Sequence, residues 1–177
     1  MPADSIRLRI STPTGPIPPG RGFYQLEEDA LYVQVGLYAA SRQFFSYLEG
    51  QQIRFDLDKE GRLIFFELAV PRRQWPVADD GLLPPSVVEP ADIRWLDFRE
   101  STGDPVILAS ADRTTVRLGF SDKPAERNYY LADDVIVSVD ASDCLVHLWV
   151  EHIIDDLAGQ EIGAFRKKHR GNGSFFA

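Results

Sequence analysis

The sequence is poor in cysteine, with Cys144 as the single thiol among 177 residues. One thiol cannot form a disulfide within the chain, which excludes a small secreted fold held together by disulfides. No apolar run reaches about 18 residues, which excludes a membrane-spanning helix. The first ten residues lack an apolar segment behind a basic start, so a signal peptide is not predicted. We therefore expect a cytoplasmic protein.

Basic residues are scarce relative to acidic ones. The chain has 19 Lys and Arg against 27 Asp and Glu, a net charge of −8 and a pI near 4.9. Binding to nucleic acid or to an anionic membrane depends on clustered basic side chains, so we expect neither partner. The one basic cluster, residues 166–170, is interpreted as part of a solvated C-terminal tail.

The motifs of common catalytic and metal sites are also missing. The sequence has no Gly-x-Ser-x-Gly elbow, no glycine-rich phosphate loop, no His-Glu-x-x-His and no paired cysteines. We therefore predict no catalytic residue, no cofactor and no metal site, and in particular no transition-metal site built on two or more imidazoles.

A repeated pattern is the strongest positive signal. The segments 53–68 and 135–150 align at an offset of 82 residues, which places Asp58 on Asp140. The same offset superposes Leu57 on Val139, Gly61 on Asp143, Leu63 on Leu145 and Tyr47 on Tyr129.

The pattern of each copy predicts a β-hairpin. Ile53, Phe55 and Leu57 alternate with polar residues, a turn containing Gly61 follows, and the returning segment 63–70 is apolar almost throughout. A strand that is apolar on both faces is typical of the middle of a sheet. We predict a mainly β protein, α+β at most, made of two tandem, structurally similar antiparallel β units.

The predicted boundaries follow the proline distribution and the repeat. The first unit spans residues 1–75, a proline-rich connection spans 76–92, the second unit spans 93–168, and a flexible tail spans 169–177. The second unit ends in a predicted short C-terminal helix, because residues 155–168 have acids at their start and bases at their end. Whether the halves pack as one domain stays open.

The first unit resembles a family of small bacterial β-rich domains of unknown function. The resemblance rests on Asp29-Ala-Leu-Tyr32-Val and on Asp58-Lys-Glu-Gly61-Arg-Leu63, and it covers about a quarter of the chain. It implies a small β-meander, here duplicated, and it implies no substrate or reaction. The second half keeps only the hairpin skeleton, with Asp143 in place of glycine.

Two functions remain open beside a plain structural role. We expect a non-enzymatic binding or interaction module, with a protein partner as one option. The alternative is a ligand-binding protein or enzyme with a site in a cleft between the two units. The 82-residue offset makes two sets of side chains equivalent, and they are the ligand-binding candidates: Phe65, Glu67, His147, Trp149 and Glu151.

Charge supplies one further alternative, an acidic inhibitor that neutralises a basic toxin.

The acids near the first turn are interpreted as structural. Asp56, Asp58 and Glu60 are expected to cap the turn and to be solvated at the end of the strand.

We predict a homodimer. Strands with apolar residues on both faces need cover for the second face, and two-fold dimers are the commonest way to provide it. An exposed aromatic face or an unpaired strand edge would form the interface. Light scattering at low micromolar concentration tests this, and a mass of one chain that persists on concentration contradicts it.

Overall fold

A computed structural model describes residues 5–36, 44–98 and 100–156. These ranges contain fifteen β-strands and one 3₁₀ helix, and none of their helical residues forms a segment able to cross a membrane. The strands of the first half are β1 Leu8–Ser11, β2 Gly20–Gln25, β3 Ala30–Val35, β4 Ser46–Glu49, β5 Ile53–Leu57 and β6 Leu63–Leu68, followed by the 3₁₀ helix Arg72–Gln74. The later strands are β7 Glu89–Pro90, β8 Asp92–Trp95, β9 Glu100–Ser101, β10 Val106–Ala109, β11 Val116–Gly119, β12 Arg127–Ala132, β13 Val135–Val139, β14 Leu145–Val150 and β15 Ile154–Asp156.

Two large sheets contain most of these strands, and their strand orders match. The first sheet runs β15-β2-β3-β6-β5-β4-β9, and the second runs β10-β11-β14-β13-β12-β7. Within them, β2-β3-β6-β5-β4 and β10-β11-β14-β13-β12 are the same arrangement of five consecutive strands. The predicted mainly β fold is confirmed, and β6 lies in the middle of its sheet as expected. The predicted C-terminal helix falls largely outside the described residues, and residues 154–156 form β15.

The two repeated hairpins also match in register. Ile53 lies opposite Leu68 in one hairpin, and Val135 lies opposite Val150 in the other. Each hairpin has a bulge at the equivalent step, between residues 56 and 57 and between residues 138 and 139.

A buried aspartate closes each hairpin turn. The Asp58 carboxylate accepts hydrogen bonds from the backbone N–H groups of Glu60 and Arg62, both at 2.9 Å. The Asp140 carboxylate accepts the equivalent bonds from Ser142 and Cys144, at 2.8 and 3.0 Å. The fourth turn residue has positive φ in both turns, 84° at Gly61 and 59° at Asp143. Aspartate tolerates this conformation better than most side chains, which explains why the second copy can lack the glycine.

One predicted equivalence is wrong. Leu48 lies opposite Phe55, whereas Tyr129 lies opposite Val137. Since Phe55 and Val137 are equivalent, Tyr129 corresponds to Leu48 and not to Tyr47. The strand before the hairpin, β4 in the first unit and β12 in the second, is thus shifted by one residue relative to the 82-residue offset. A shift of one residue places the side chains on the opposite face of the strand from the one that the offset predicts.

The inner faces of the two sheets pack against each other. One continuous apolar cluster includes Phe55, Phe66 and Leu68 of the first sheet together with Leu118 and Val137 of the second. The rings of Phe55 and Phe120 lie 5.9 Å apart across this interface. Gly22 lets β2 approach β14 closely, because a Cβ atom there would lie 2.8 Å from a methyl group of Val150.

The leading strands of the two halves are exchanged. β1 and β8 form a two-stranded antiparallel ribbon, and each strand bonds to the hairpin turn of the other half. The Leu8 N–H donates to the Asp143 carbonyl at 3.1 Å, and the Trp95 N–H donates to the Gly61 carbonyl at 2.7 Å.

The trailing segments cross over in the same way. After β14 the chain passes to the first sheet, where β15 pairs in parallel with β2 and places Asp155 beside Tyr24. After β6 the chain passes to the second sheet, where Val77 bridges in parallel to Ala109 of β10. Each half is therefore completed by segments from the other half or from the connection, and β9 and β7 add a further edge strand to the first and the second sheet.

Loss of either turn carboxylate is expected to destabilise the fold to a similar extent. Asp58→Ala and Asp140→Ala each remove the acceptor of two backbone N–H groups at a buried position, so we expect each to lower the free energy of unfolding by about 2–4 kcal/mol. Denaturant unfolding measures the effect. Asp80→Ala, in the exposed part of the connection, is the control and should change stability by less than about 0.5 kcal/mol. A large loss at one turn and none at the other would contradict their equivalence.

Candidate functional site

The predicted site residues lie on the outer faces of two different sheets. Phe65 and Glu67 lie on β6, and on the face that points away from the core. His147, Trp149 and Glu151 lie on the corresponding outer side of β14 and its end. The predicted cleft that would bring the two sets together is therefore not formed. The equivalence is correct, but the two sheets meet through the opposite faces, which carry Leu68 and Val150.

The outer aromatic side chains are nevertheless buried. Phe65 is 1% exposed and Trp149 5% exposed. The ring of Tyr32 stacks between Phe23 and Phe65, with centroid distances of 5.8 and 5.7 Å. These residues are covered within one chain, so these particular side chains do not form an exposed aromatic face for a dimer interface. The homodimer stays a prediction.

Asp56 is an acid whose burial the sequence interpretation missed. It was expected to be solvated, but it is 1% exposed on the outer face of the first sheet. Its carboxylate accepts a hydrogen bond from Arg54 Nε at 2.9 Å, and the Arg54 guanidinium lies 4.7 Å from the centre of the Tyr47 ring. Burial raises the pKa of Asp56 to about 6, against the opposing effect of Arg54, and the nearby Glu67 adds to the rise.

His147 is held neutral on the second sheet. Burial, aided by the neighbouring Arg117, lowers the pKa of His147 to about 4. Its ring meets the edge of Trp149 at 6.2 Å, and the Arg117 guanidinium lies 5.7 Å from the same indole. Within the described residues, the groups that face the His147 ring are Trp149 and Arg117, and an imidazole with a pKa near 4 is neutral at neutral pH.

Two concave sites lie instead where the exchanged ribbon meets the two hairpins. One, here called the proline cleft, has a volume of about 310 Å³. It contains residues of both halves, which are Pro13 to Pro18, Val35, Arg62, Leu63, Pro90 to Ile93, Tyr130 and Leu131. A volume of this size is at the lower end of the range for small-molecule sites.

A second cleft occupies the equivalent position on the other side of the ribbon. This cysteine cleft has a volume of about 380 Å³ and is lined by Ser5 to Arg7, Leu48, Asp97, Glu100 to Thr102 and Cys144. Cys144 and Arg62 are equivalent positions in the two hairpin turns, and Arg7 and Arg94 are equivalent positions of the ribbon strands. The two clefts are thus related by the same approximate two-fold operation, but they differ in chemistry.

An ion pair closes one end of the proline cleft. Arg62 Nε donates to Asp92 at 2.9 Å, and Arg94 Nε donates to the same carboxylate at 3.1 Å. Although burial acts to raise it, the two guanidinium groups hold the pKa of Asp92 below its ordinary value. Asp92 is therefore ionised and doubly paired at neutral pH, which suits a fixed polar anchor and not a proton donor or acceptor.

The cysteine cleft is more polar and its thiol is unactivated. Arg7 binds Asp97 through two hydrogen bonds, of 2.6 and 3.1 Å. Burial and the neighbouring Asp140 raise the pKa of the Cys144 thiol. A raised pKa reduces the thiolate fraction and so the nucleophilicity of this side chain.

Comparison with known proteins adds no functional assignment. No family model matches the sequence, and no curated protein matches it.

Burial of Asp56 is expected to make stability depend on pH. The folded state holds the Asp56 proton up to a pKa of about 6, whereas the unfolded chain releases it near 3.8. The folded state therefore binds more protons between these values, and this contribution to stability is full below about pH 4 and is lost as the pH rises to 6.

Asp56→Asn should flatten the pH dependence between pH 4 and 6. Relative to the original protein, the variant should gain stability as the pH rises through this window, by up to about 3 kcal/mol for a shift of about two pKa units. Urea unfolding at pH 4.5 and 7.5 measures the difference, with the exposed Asp80→Asn as the control. Parallel pH profiles for Asp56→Asn and the original protein would contradict this account.

Proposed function

We propose that this protein is a non-enzymatic binding module whose ligand occupies the proline cleft. The observation that carries the proposal is the cleft itself. Two halves far apart in sequence build it together, and the ribbon that holds them in place forms one wall.

The lining supports a small, mostly apolar ligand with one or two hydrogen-bonding groups. Ile17, Val35, Leu63, Ile93 and Leu131 supply apolar surface. The paired Arg62 and Asp92 offer fixed polar atoms at one end, a combination that is typical of small-molecule sites.

The side chains of this cleft support binding over catalysis. Among the residues that the structure describes, the lining contains no histidine, cysteine or serine. Its carboxylate, Asp92, is already bound to Arg62 and Arg94. A general base must be free to take a proton near neutral pH, and a nucleophile must be activated by such a base. Neither arrangement exists among these residues.

We also propose that the two halves arose by duplication of a single β unit. The shared strand order and the equivalent bulges support this, and the unit is of the kind that the first hairpin resembles. The unpaired thiol supports a reducing compartment such as the cytoplasm.

Indole is a suitable probe of the proline cleft, because it combines an apolar ring with one N–H donor. We expect it to bind with a dissociation constant of the order of 1 mM, as befits a small fragment. Methyl NMR signals of Val35, Leu63 and Leu131 should shift on titration.

Gly15 provides the blocking variant and its control. An added Cβ at Gly15, which lines the cleft, meets no atom within 4 Å. Gly15→Trp therefore adds a large side chain at the cleft without a clash at Cβ, and it should weaken indole binding about tenfold or more. Gly15→Ala should leave it unchanged. Indole shifts confined to other methyl groups, or equal binding by both variants, would contradict the proposal.

A further inference from the structure

A cluster of potential metal ligands lies away from both clefts, at the point where the chain leaves the second sheet. Asp134 belongs to the turn between β12 and β13, and Glu151 and His152 directly follow β14. One ligand atom from each of the three side chains lies within 4.8 Å of the other two.

The backbone brings these segments together. The Glu151 N–H donates to the Asp134 carbonyl at 2.8 Å. His152 has a φ of 54°, and its Nδ1 lies 2.8 Å from the Asp134 carboxylate. The imidazole is 76% exposed, so a solvated ion can reach it.

The first half shows that the fold does not require these residues. The equivalent positions are Gln52, Ala69 and Val70, and the same backbone hydrogen bond joins Ala69 to Gln52 at 2.8 Å. This backbone hydrogen bond therefore forms without a carboxylate or an imidazole, and the positive φ of His152 is a feature of the second half that its equivalent Val70 does not share. The ligand set of the second half is an addition to a backbone that is complete without it.

The charge of the cluster also favours a cation. Within the described ranges, neither the Asp134 nor the Glu151 carboxylate has an Arg or Lys nitrogen as an ion-pair partner. In the same part of the chain, the side-chain partner of Asp134 is His152. Two carboxylates thus face one imidazole in a protein that is already strongly acidic.

We propose that Asp134, Glu151 and His152 form a binding site for a divalent transition-metal ion of the Zn²⁺ class. Zn²⁺ binds carboxylate oxygen and imidazole nitrogen at about 2.0–2.2 Å in tetrahedral geometry, so two ligands of one ion lie about 3.5 Å apart. The ligand atoms here lie between 2.8 and 4.8 Å apart, so binding requires the side chains to rotate toward a common centre. Ca²⁺ fits poorly because it takes six to eight oxygen ligands.

Three protein ligands leave at least one position for water. An ion here would also connect the β12–β13 turn to the segment that leads into β15. Binding should therefore stabilise the crossing of the chain onto the first sheet, in addition to satisfying the carboxylates.

Calorimetric titration of Zn²⁺ into the full chain, purified with chelator and then dialysed, tests the proposal. We expect one ion per chain and a rise in the unfolding temperature with Zn²⁺. Asp134→Asn, Glu151→Gln and His152→Gln should each weaken binding about tenfold or more, since each removes one of three ligands. Titration with Co²⁺ should give visible absorption bands that His152→Gln abolishes.

Matched controls separate this site from non-specific binding. Asp133→Asn removes the same charge from the neighbouring exposed position, and His147→Gln removes an imidazole elsewhere. Both should bind Zn²⁺ within about twofold of the original protein. Circular dichroism confirms that each variant is folded. The absence of saturable binding below about 1 mM, or binding that only His169→Gln removes, overturns the proposal.

Discussion

Burial of the two inner sheet faces against each other is the interaction on which the rest of the structure depends. A strand has two faces, and in β5 and β13 the residues Phe55 and Val137 fix which one is inside. Once those faces meet, every alternate side chain must point away from the partner sheet. The positions of Phe65 and His147 on opposite sides of the molecule follow directly from this.

The same constraint locates the regions that are available for binding. The core between the sheets is filled by side chains such as Leu68 and Leu118, and the outer aromatic residues are buried. Concave surface remains where the packing of one half ends against the ribbon supplied by the other. Ligand sites at such junctions can change in chemistry while the sheets keep their geometry, and the exchange of Arg62 for Cys144 between the two clefts shows this within one chain.

Local patterns predicted the parts of the fold that are local. Alternation identified the strands around Phe55, and the repeat identified the equivalent hairpins, because a hairpin is encoded by adjacent residues. Short strands such as β9 and β15 have too few residues to show an alternating pattern. They are strands because they pair with the edge strands β4 and β2, which lie far away in sequence. The burial of Asp56 could not be predicted either. Asp56 alternates with the apolar Phe55 and Leu57, and a polar residue at such a position is expected to face solvent.

The candidate sites escaped prediction for a related reason. The proline cleft joins Gly15 to Tyr130, and the metal-ligand cluster joins His152 to Asp134, 18 residues earlier. Spacing rules detect ligands on one element, whereas these residues meet through strand pairing and chain crossing. His147 and His152 are close in sequence but lie in different surroundings, His147 beside Trp149 and His152 beside Asp134.

The exchange of strands between the halves has a consequence for synthesis. When residues 1–75 have left the ribosome, the Gly61 carbonyl still lacks Trp95, and the edge of β2 still lacks β15. The β2 edge of the first sheet therefore stays unpaired until β15 has been synthesised. Contacts of such long sequence separation form slowly, and an open edge in the interval can pair with another nascent chain. The architecture thus couples completion of the fold to the last residues of β15.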